Sequence, residues 1–325
     1  VIRVAIVGCG LIGRKRADAL PRGALVAACD VDRARAEALA ATSGAQASDD
    51  WRATVARADV DAVIVATTHD QLAPVAAQAA RHGKHLLIEK PGARRARELD
   101  EVAALVSQHE LVARVGFNHR EHPALRKARE LVDDGAIGTP QYVRGRYGHG
   151  GRPGYDREWR AVGELSGGGE AIDQGMHLVD LARWFLGDFS RVQGATATYF
   201  WDMPVEDNVF FLLRTQTGAI AQLHASWTEW KNLFSFEITG REGKIEIAGL
   251  GGSYGTERIT HYKMLPEMGP PQTQAWEYPM ADVSWRRETD AWLADIAAGR
   301  PSSPGIADAQ AALAVIERVY AENAG

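Results

Sequence analysis

Cysteine is almost absent from this chain: Cys9 and Cys29 are the only two in 325 residues. A single pair in so long a chain makes no disulfide framework, and it lacks the paired spacing of a metal site. The two are read as small buried residues on neighbouring strands, and no metal is expected. No tract of five or more Lys and Arg occurs and the net charge is −5, so the electrostatic footprint of a nucleic-acid binder is missing. Long apolar runs are missing too. Stretches such as Ala62–Ala66 fall far short of the roughly 20 residues that cross a bilayer. The sequence as given opens into a strand, without the charged-then-apolar pattern of a secretory signal. Cytoplasm is the expected location, with neither membrane nor nucleic acid as a partner.

What remains is an ordinary globular composition, 46% apolar and 24% charged, in a chain too long for one comfortable core. Two domains are expected, 1–118 and 119–325, with the closing helices free to pack on either. Up to Asn118, short β-branched runs alternate with helical patterns. Strands are predicted over Ile2–Val7, Ala24–Cys29, Ala62–Ala66, His85–Ile88 and Val112–Phe117. Helices are predicted over Leu11–Leu20, Asp32–Thr42, Leu72–Arg81 and Ala96–His109. Strands apolar throughout, with helices between them, indicate an α/β fold built on a doubly wound parallel sheet.

Beyond Asn118 the period changes. Helices are predicted over Pro123–Asp133, Gly169–Leu186, Trp285–Ala298 and Ile306–Asn323. In Ala219–Trp227 the odd positions are apolar and Gln222, His224 and Ser226 are polar; Phe234, Phe236 and Ile238 alternate likewise. Period-two patterning marks a half-covered sheet, so an α+β domain with a large, mostly antiparallel open sheet is expected. Phe210, Phe211, Trp227 and Trp230 are read as lying on its exposed face, which predicts a homodimer or homotetramer. Glycines cluster at 148–154, 163–169 and 249–255. The first two clusters are read as mobile loops over a cleft, the third as a turn between strands.

Gly8-Cys9-Gly10-Leu11-Ile12-Gly13 is a GxGxxG string that follows a strand and opens a helix, the context a dinucleotide site demands. Gly8 allows the tight turn, Gly10 lets backbone approach a pyrophosphate, and Gly13 lets helix pack on strand. Free N–H groups of the helix start at Leu11 and Ile12 would face the phosphates. Asp30 lies 20 residues past Gly10, where a carboxylate can bind the adenine ribose, favouring NAD; capping the next helix is its alternative role. Arg33 and Arg35 keep NADP open.

Two further features carry chemistry. Glu89-Lys90-Pro91 follows a strand at the carboxyl edge of the parallel sheet, where such folds bind ligands; Lys90 could equally be a snorkelling surface lysine. Asp173 and His177, four apart on a helix, share a face after the run Gly167-Gly168-Gly169. Those glycines would let substrate or cofactor approach backbone, and a histidine can take and return a proton near neutrality. A satisfied structural His–Asp pair is the other reading.

These motifs, with Asp61–Thr68, Gly83-Lys84-His85, Gly116-Phe117-Asn118, Trp159-Arg160, Gly175 and Asp180 in order along the chain, resemble the glucose–fructose oxidoreductase, inositol dehydrogenase and rhizopine-catabolism (Gfo/Idh/MocA) family. The resemblance covers almost the whole chain and implies an N-terminal Rossmann domain. It also implies an NAD(P)-dependent oxidoreductase moving a hydride between nicotinamide and a secondary alcohol carbon of a sugar, cyclitol or nucleotide sugar. By position it implies Lys90, Asp173 and His177 as the catalytic set, with Thr67, Thr68, His69, Glu89 and Asn118 lining the nicotinamide end. Tyr155, Trp159 and Arg160 are candidates to face substrate. The sequence departs from the family where Pro-Asn often follows the first threonine, having Thr68-His69, and where Leu72 replaces a common histidine. His69 is therefore also readable as a helix cap. Arg146 and Arg152 are weighed as partners of a diphosphate against solvated loop arginines. Two rival functions keep the same fold: an NAD-dependent glycosidase working by transient oxidation and elimination, and a non-catalytic cofactor-binding regulator.

Overall fold

The computed structural model describes residues 1–323. Two compact units emerge: Val1–Phe117 with Trp285–Gln310, and Asn118–Ser284 with the chain from Ala311 onward. The chain first passes from one unit to the other between Phe117 and Asn118. The segment Trp285–Gln310, assigned by sequence to the second domain with its packing left open, belongs to the first unit.

The first unit runs β1 (Val4–Val7), α1 (Leu11–Ala19), β2 (Leu25–Cys29), α2 (Arg33–Ala41), β3 (Gln46–Ser48), α3 (Trp51–Val55), β4 (Ala62–Val65), α4 (His69–Arg81), β5 (His85–Glu89), α5 (Asp100–Gln108) and β6 (Ala113–Gly116). All strand pairs are parallel, in the order β3-β2-β1-β4-β5-β6. The order reverses between β1 and β4, so the loops after these two strands flank the switch point where ligands bind in open α/β sheets. Strands β1 and β4 are buried at every position, as a sheet covered on both faces requires. The short β3 and α3 escape sequence reading because a three-residue strand of Gln-Ala-Ser carries no period. Cys9 and Cys29 are free and buried; Cys29 ends β2, while Cys9, expected on a strand, lies in the turn after β1.

One ionic cluster lies inside this unit. The guanidinium of Arg16, on α1, is fully buried; Nε donates to Glu89 Oε1 at 2.5 Å and Nη2 lies 2.7 Å from Glu288 Oε2. Trp292, from the same C-terminal segment as Glu288, fills the core beside Val4, Ile6 and Leu87. Two carboxylates share the one guanidinium, and burial pushes the Glu288 carboxyl up to about 7, with Glu89 adding to the rise against the pull of Arg16 and Arg114.

The second unit runs α6 (Pro123–Asp133), β7 (Pro140–Gly148), α7 (Gly163–Ser166), a π-helical turn (Ala171–Gly175), α8 (Met176–Leu186), then strands β8 (Phe189–Ala197), β9 (Asn208–Thr215), β10 (Ile220–Ser226), β11 (Leu233–Gly240), β12 (Gly243–Ala248), β13 (Glu257–Lys263) and β14 (Gln272–Tyr278). Helices α9 (Ser284–Ala298) and α10 (Ile306–Glu322) close the chain. The eight strands form one sheet, β14-β13-β12-β11-β7-β10-β9-β8, antiparallel except for β10 beside β7. Helix α8 lies close on the sheet at Gly145, where a Cβ would sit about 3.1 Å from Leu178 and Phe236.

Strand alternation corrects the exposed-face reading. In β9, Phe211 turns inward while Phe210 and Leu212 are 41% and 50% exposed. Trp227 is fully buried, and only Trp230 of the two tryptophans faces out. Successive residues of a strand point to opposite faces, so Phe210 and Phe211 could never share one. The 163–169 segment holds the short helix α7 rather than being loop throughout, whereas 249–255 is a turn between β12 and β13.

The shared guanidinium has a pH consequence. The native Glu288 holds its proton up to about pH 7, whereas an unfolded glutamate releases it near pH 4.3. The native state therefore binds more protons in that window, and stability falls as pH rises through it, by on the order of 4 kcal/mol at most. Urea unfolding at pH 5.5 and 8 is expected to show this loss, and Glu288→Gln to reduce it. Equal pH slopes in both proteins would contradict the assignment.

Candidate active site

In the first unit the glycine turn has the shape a dinucleotide needs. Gly8 has φ +98°, and a Cβ there would lie 2.3 Å from Ala66 O; at Gly13 it would lie 1.9 Å from Gly8 O. A Cβ on Gly10 meets nothing within 4 Å. Gly10 is also the N-cap of α1, and no side chain caps that end. Helix-start N–H groups are thus left to an anion beside a residue with no side chain. Leu11 is exposed at this end and Ile12 half-buried.

Asp30 is buried at the end of β2. Its Oδ2 accepts from Cys9 N at 2.7 Å and its Oδ1 from Asp32 N at 2.9 Å. The carboxylate thereby ties the glycine turn to the second strand, while capping of α2 falls to Asp32, which accepts from Ala34 N. Thr67 and Thr68 follow β4, and Thr68 Oγ1 donates to Asp70 at 2.6 Å. Thr68 is also the N-cap of α4, so His69, buried in the first turn, is not the cap. Leu72 is core. Glu89, expected at the nicotinamide end, directs Oε1 to Arg16. Lys90 follows β5 at the carboxyl edge of the sheet and is half-buried.

In the second unit, the π-helical turn and α8 carry Asp173 and His177, both buried. The glycines ahead of them serve the protein itself, which corrects the expectation of ligand approach. A Cβ on Gly168 would lie 1.9 Å from Tyr320 Oη, and one on Gly169 would lie 2.0 Å from Glu206 O. The Glu206 carboxylate accepts from Gly169 N, Ala171 N and Tyr320 Oη, capping the π turn. This anchors the segment that presents Asp173.

Around that pair several side chains converge. Arg160 Nε lies 3.2 Å from Asp173 Oδ2, and its guanidinium lies 4.7 Å over the Trp159 ring. The His177 ring stacks on His119, centroids 3.7 Å apart at 17°. Tyr147 meets both rings edge-on. Burial raises the Tyr147 hydroxyl pKa, with Tyr254, Asp173 and Glu170 adding to the rise, and Gln174 Nε2 donates to Tyr254 Oη at 3.1 Å. Tyr155, read as facing substrate, is buried against Trp227 and Val205 instead. Arg146 and Arg152 each take a carboxylate, Glu229 at 3.3 Å and Glu158 at 2.5 Å. Asn118 is buried, its Nδ2 donating to Ser284 Oγ at 2.8 Å. His119, Tyr147 and Tyr254 were missed by sequence reading. His119 directly follows the Gly-Phe-Asn motif, so its position was the available signal; Tyr254 sits in a stretch legible only as a turn. Among the described residues no cluster of His, Cys, Asp and Glu could hold a metal, and no helix is long and apolar enough to cross a membrane.

Comparison with known proteins adds to this geometry. Residues 2–117 match the model of the GFO/IDH/MocA oxidoreductase family, NAD-binding Rossmann fold, and residues 125–246 match a GFO/IDH/MocA C-terminal domain. The chain is 31% identical to dTDP-3,4-didehydro-2,6-dideoxy-alpha-D-glucose 3-reductase of Streptomyces violaceoruber over 76% of its own length and 72% of the relative's. The chain belongs to this family. It is 29% identical to inositol 2-dehydrogenase of Rhizobium meliloti, over 97% of this chain and 95% of that one. In fold it is similar to a levoglucosan dehydrogenase solved with NADH and L-sorbose, with TM-score 0.87, 24% identity and coverage of 100% and 97% of the two chains. The first unit is accordingly the NAD-binding domain of an NAD(P)-dependent dehydrogenase.

The two glycine environments predict opposite phenotypes. Gly10→Ala has room for its methyl and is expected to keep Tm within about 2 °C while weakening NADH binding at least ~10-fold, because the methyl would stand between backbone and pyrophosphate. Gly13→Ala meets a carbonyl and is expected to cost about 2 kcal/mol or more of stability. Thermal melts with NADH fluorescence titration check both; a destabilised Gly10→Ala that still binds NADH would contradict the assignment.

Proposed function

We propose that this dehydrogenase oxidises a secondary alcohol carbon of a sugar, cyclitol or nucleotide sugar, or reduces the corresponding ketone, with Lys90, Asp173 and His177 as its catalytic set. The observation that carries the reading is the buried Asp173–His177 pair on a capped helix start, in a chain whose other domain binds NAD. The relatives' named activities on inositol and on a dTDP-sugar support the substrate class.

In the oxidative direction His177 takes the proton of the substrate hydroxyl; a nicotinamide held by the first unit's glycine turn would supply the acceptor for the hydride of the same carbon. The Lys90 ammonium holds that oxygen and opposes the build-up of negative charge on the enzyme-bound alkoxide. Asp173, paired to Arg160, favours the imidazolium that His177 becomes. Trp159 offers an aromatic face suited to a sugar ring. On the cofactor side, Gly10 with the Leu11–Ile12 helix start would take the pyrophosphate, in the turn that Gly8 and Gly13 make possible. Asp30 takes the adenosine ribose, which favours NAD over NADP because a carboxylate repels a 2′-phosphate. Thr67, Thr68, His69 and Asn118 serve the nicotinamide end, Asn118 through its packing. We assign the enzyme to the cytoplasm.

His177→Ala is expected to lower kcat at least ~100-fold with NAD affinity nearly unchanged, measured as NADH formation at 340 nm across a panel of cyclitols, hexoses and nucleotide sugars. An equal loss of NAD binding would show a structural role instead.

We further propose self-association through the open face of the large sheet. That face carries Phe210, Leu212 and Ile220, all at least 40% exposed, beside a cavity of about 550 Å³ that Phe210, Leu212, Arg144, Arg146 and His224 help to line. Large apolar side chains grouped on one sheet face in this way favour burial against a partner. Light scattering is expected to give a dimer or tetramer, and Leu212→Glu to reduce its mass; a monomer at all micromolar concentrations would refute the proposal.

A further inference from the structure

His119 is the largest unexplained presence in the second unit's polar cluster. Its ring and that of His177 are each about 5% exposed and lie face to face at 3.7 Å. Two imidazoles so close cannot both be imidazolium cations without strong repulsion in a buried setting. One of them must stay neutral when the other becomes an imidazolium.

The hydrogen-bond polarity around His119 fixes where its own hydrogen lies. Asp282 Oδ1 can only accept, and it takes the Ser284 hydroxyl at 2.6 Å as well as Ser284 N at 2.9 Å. With its hydrogen committed, Ser284 Oγ accepts from Asn118 Nδ2 at 2.8 Å. The amide of Asn118 is thereby oriented with Oδ1 toward His119 Nδ1, 3.3 Å away. An amide oxygen only accepts, so His119 Nδ1 is the donor and carries the hydrogen.

Further contacts hold the stack. Arg120, next in sequence, forms a buried fork with Asp180, Nε to Oδ2 at 2.9 Å and Nη2 to Oδ1 at 2.5 Å. Asp180 lies three residues past His177, one helical turn along α8, so the fork that joins Arg120 to Asp180 also brings His119 and His177 together. On the other side, Tyr147 of β7 and Phe234 of β11 pack edge-on to His119, with centroids at 5.2 and 6.1 Å. His122, also edge-on to His119, is itself bonded to Glu257 at 2.6 Å.

We propose that His119 is a positioning residue for His177: a neutral, Nδ1-protonated ring that fixes the plane of the proton-accepting imidazole and keeps a second positive charge off it. The inference rests on His177 being the base, as argued above, but its tautomer half does not.

The experiment compares His119→Phe with His119→Leu in the full-length protein. Both fill the site, but only phenylalanine restores a flat face. With the panel substrate turned over fastest, His119→Leu is expected to lower kcat at least ~10-fold and His119→Phe to stay within about threefold of the parent, with KM and NADH Kd within about twofold in both. Equal kcat values for the two variants would overturn the positioning role. If His119→Leu does not fold, His119→Asn replaces it in the comparison. Long-range 1H–15N spectra of the histidine rings in the parent protein are expected to show His119 as the Nδ1–H tautomer; an Nε2–H tautomer would overturn the proposal whatever the kinetics. His177→Ala run alongside separates the two claims. If it retains activity, the base assignment and the kinetic role of His119 both fall, while the tautomer result stands by itself. If it is inactive while the two His119 variants match, only the positioning role falls.

Discussion

A buried guanidinium–carboxylate fork, Arg120 to Asp180, holds the second unit's polar cluster in register. Removing one partner of such a pair leaves an uncompensated buried charge, which typically costs about 3–5 kcal/mol. Its larger importance is geometric. Each partner is the near neighbour of a histidine, so one rigid contact sets the stack of His119 on His177. The Glu206 cap on the π turn plays the complementary part, fixing the other end of the segment that carries Asp173. A helix start capped by a carboxylate and a helix middle clamped by a guanidinium leave the face that carries Asp173 and His177 little freedom.

The first unit solves a similar problem with Arg16. The guanidinium sits inside the fold, joined to Glu89 directly before Lys90 and to Glu288 from the C-terminal segment. Glu89 therefore has a structural partner that its motif position did not reveal. Gly116 shares this site, since a Cβ there would lie 2.7 Å from the guanidinium. The Gly-Phe-Asn and Glu-Lys-Pro motifs are in this sense two sides of one buried ion cluster, and their glycine and glutamate answer to packing before chemistry.

Reading by period succeeded where one residue type dominates a face. The apolar strands and the glycine turn gave the α/β sheet, and alternation in β10 and β11 gave the half-open sheet of the second unit. It failed where the structure depends on partners distant in sequence. Nothing local marks Tyr155 as core rather than substrate contact; Trp227 and Val205, far along the chain, bury it. Nothing local shows that Gly168 and Gly169 make room for Tyr320 and Glu206 rather than for a ligand.

The sequence alone was enough to point to a parallel α/β sheet with a glycine turn after its first strand, a second, half-open sheet, and the order of motifs that carries the family, because each is written in residues close together or in a fixed period. Tertiary structure decided which unit owns Trp285–Gln310, which way Phe211 and Trp227 face, and that His119 lies on His177. These depend on contacts between residues tens to hundreds of positions apart. Such contacts are selected by shape and by the need to pair every buried charge, and neither leaves a local signature in the chain.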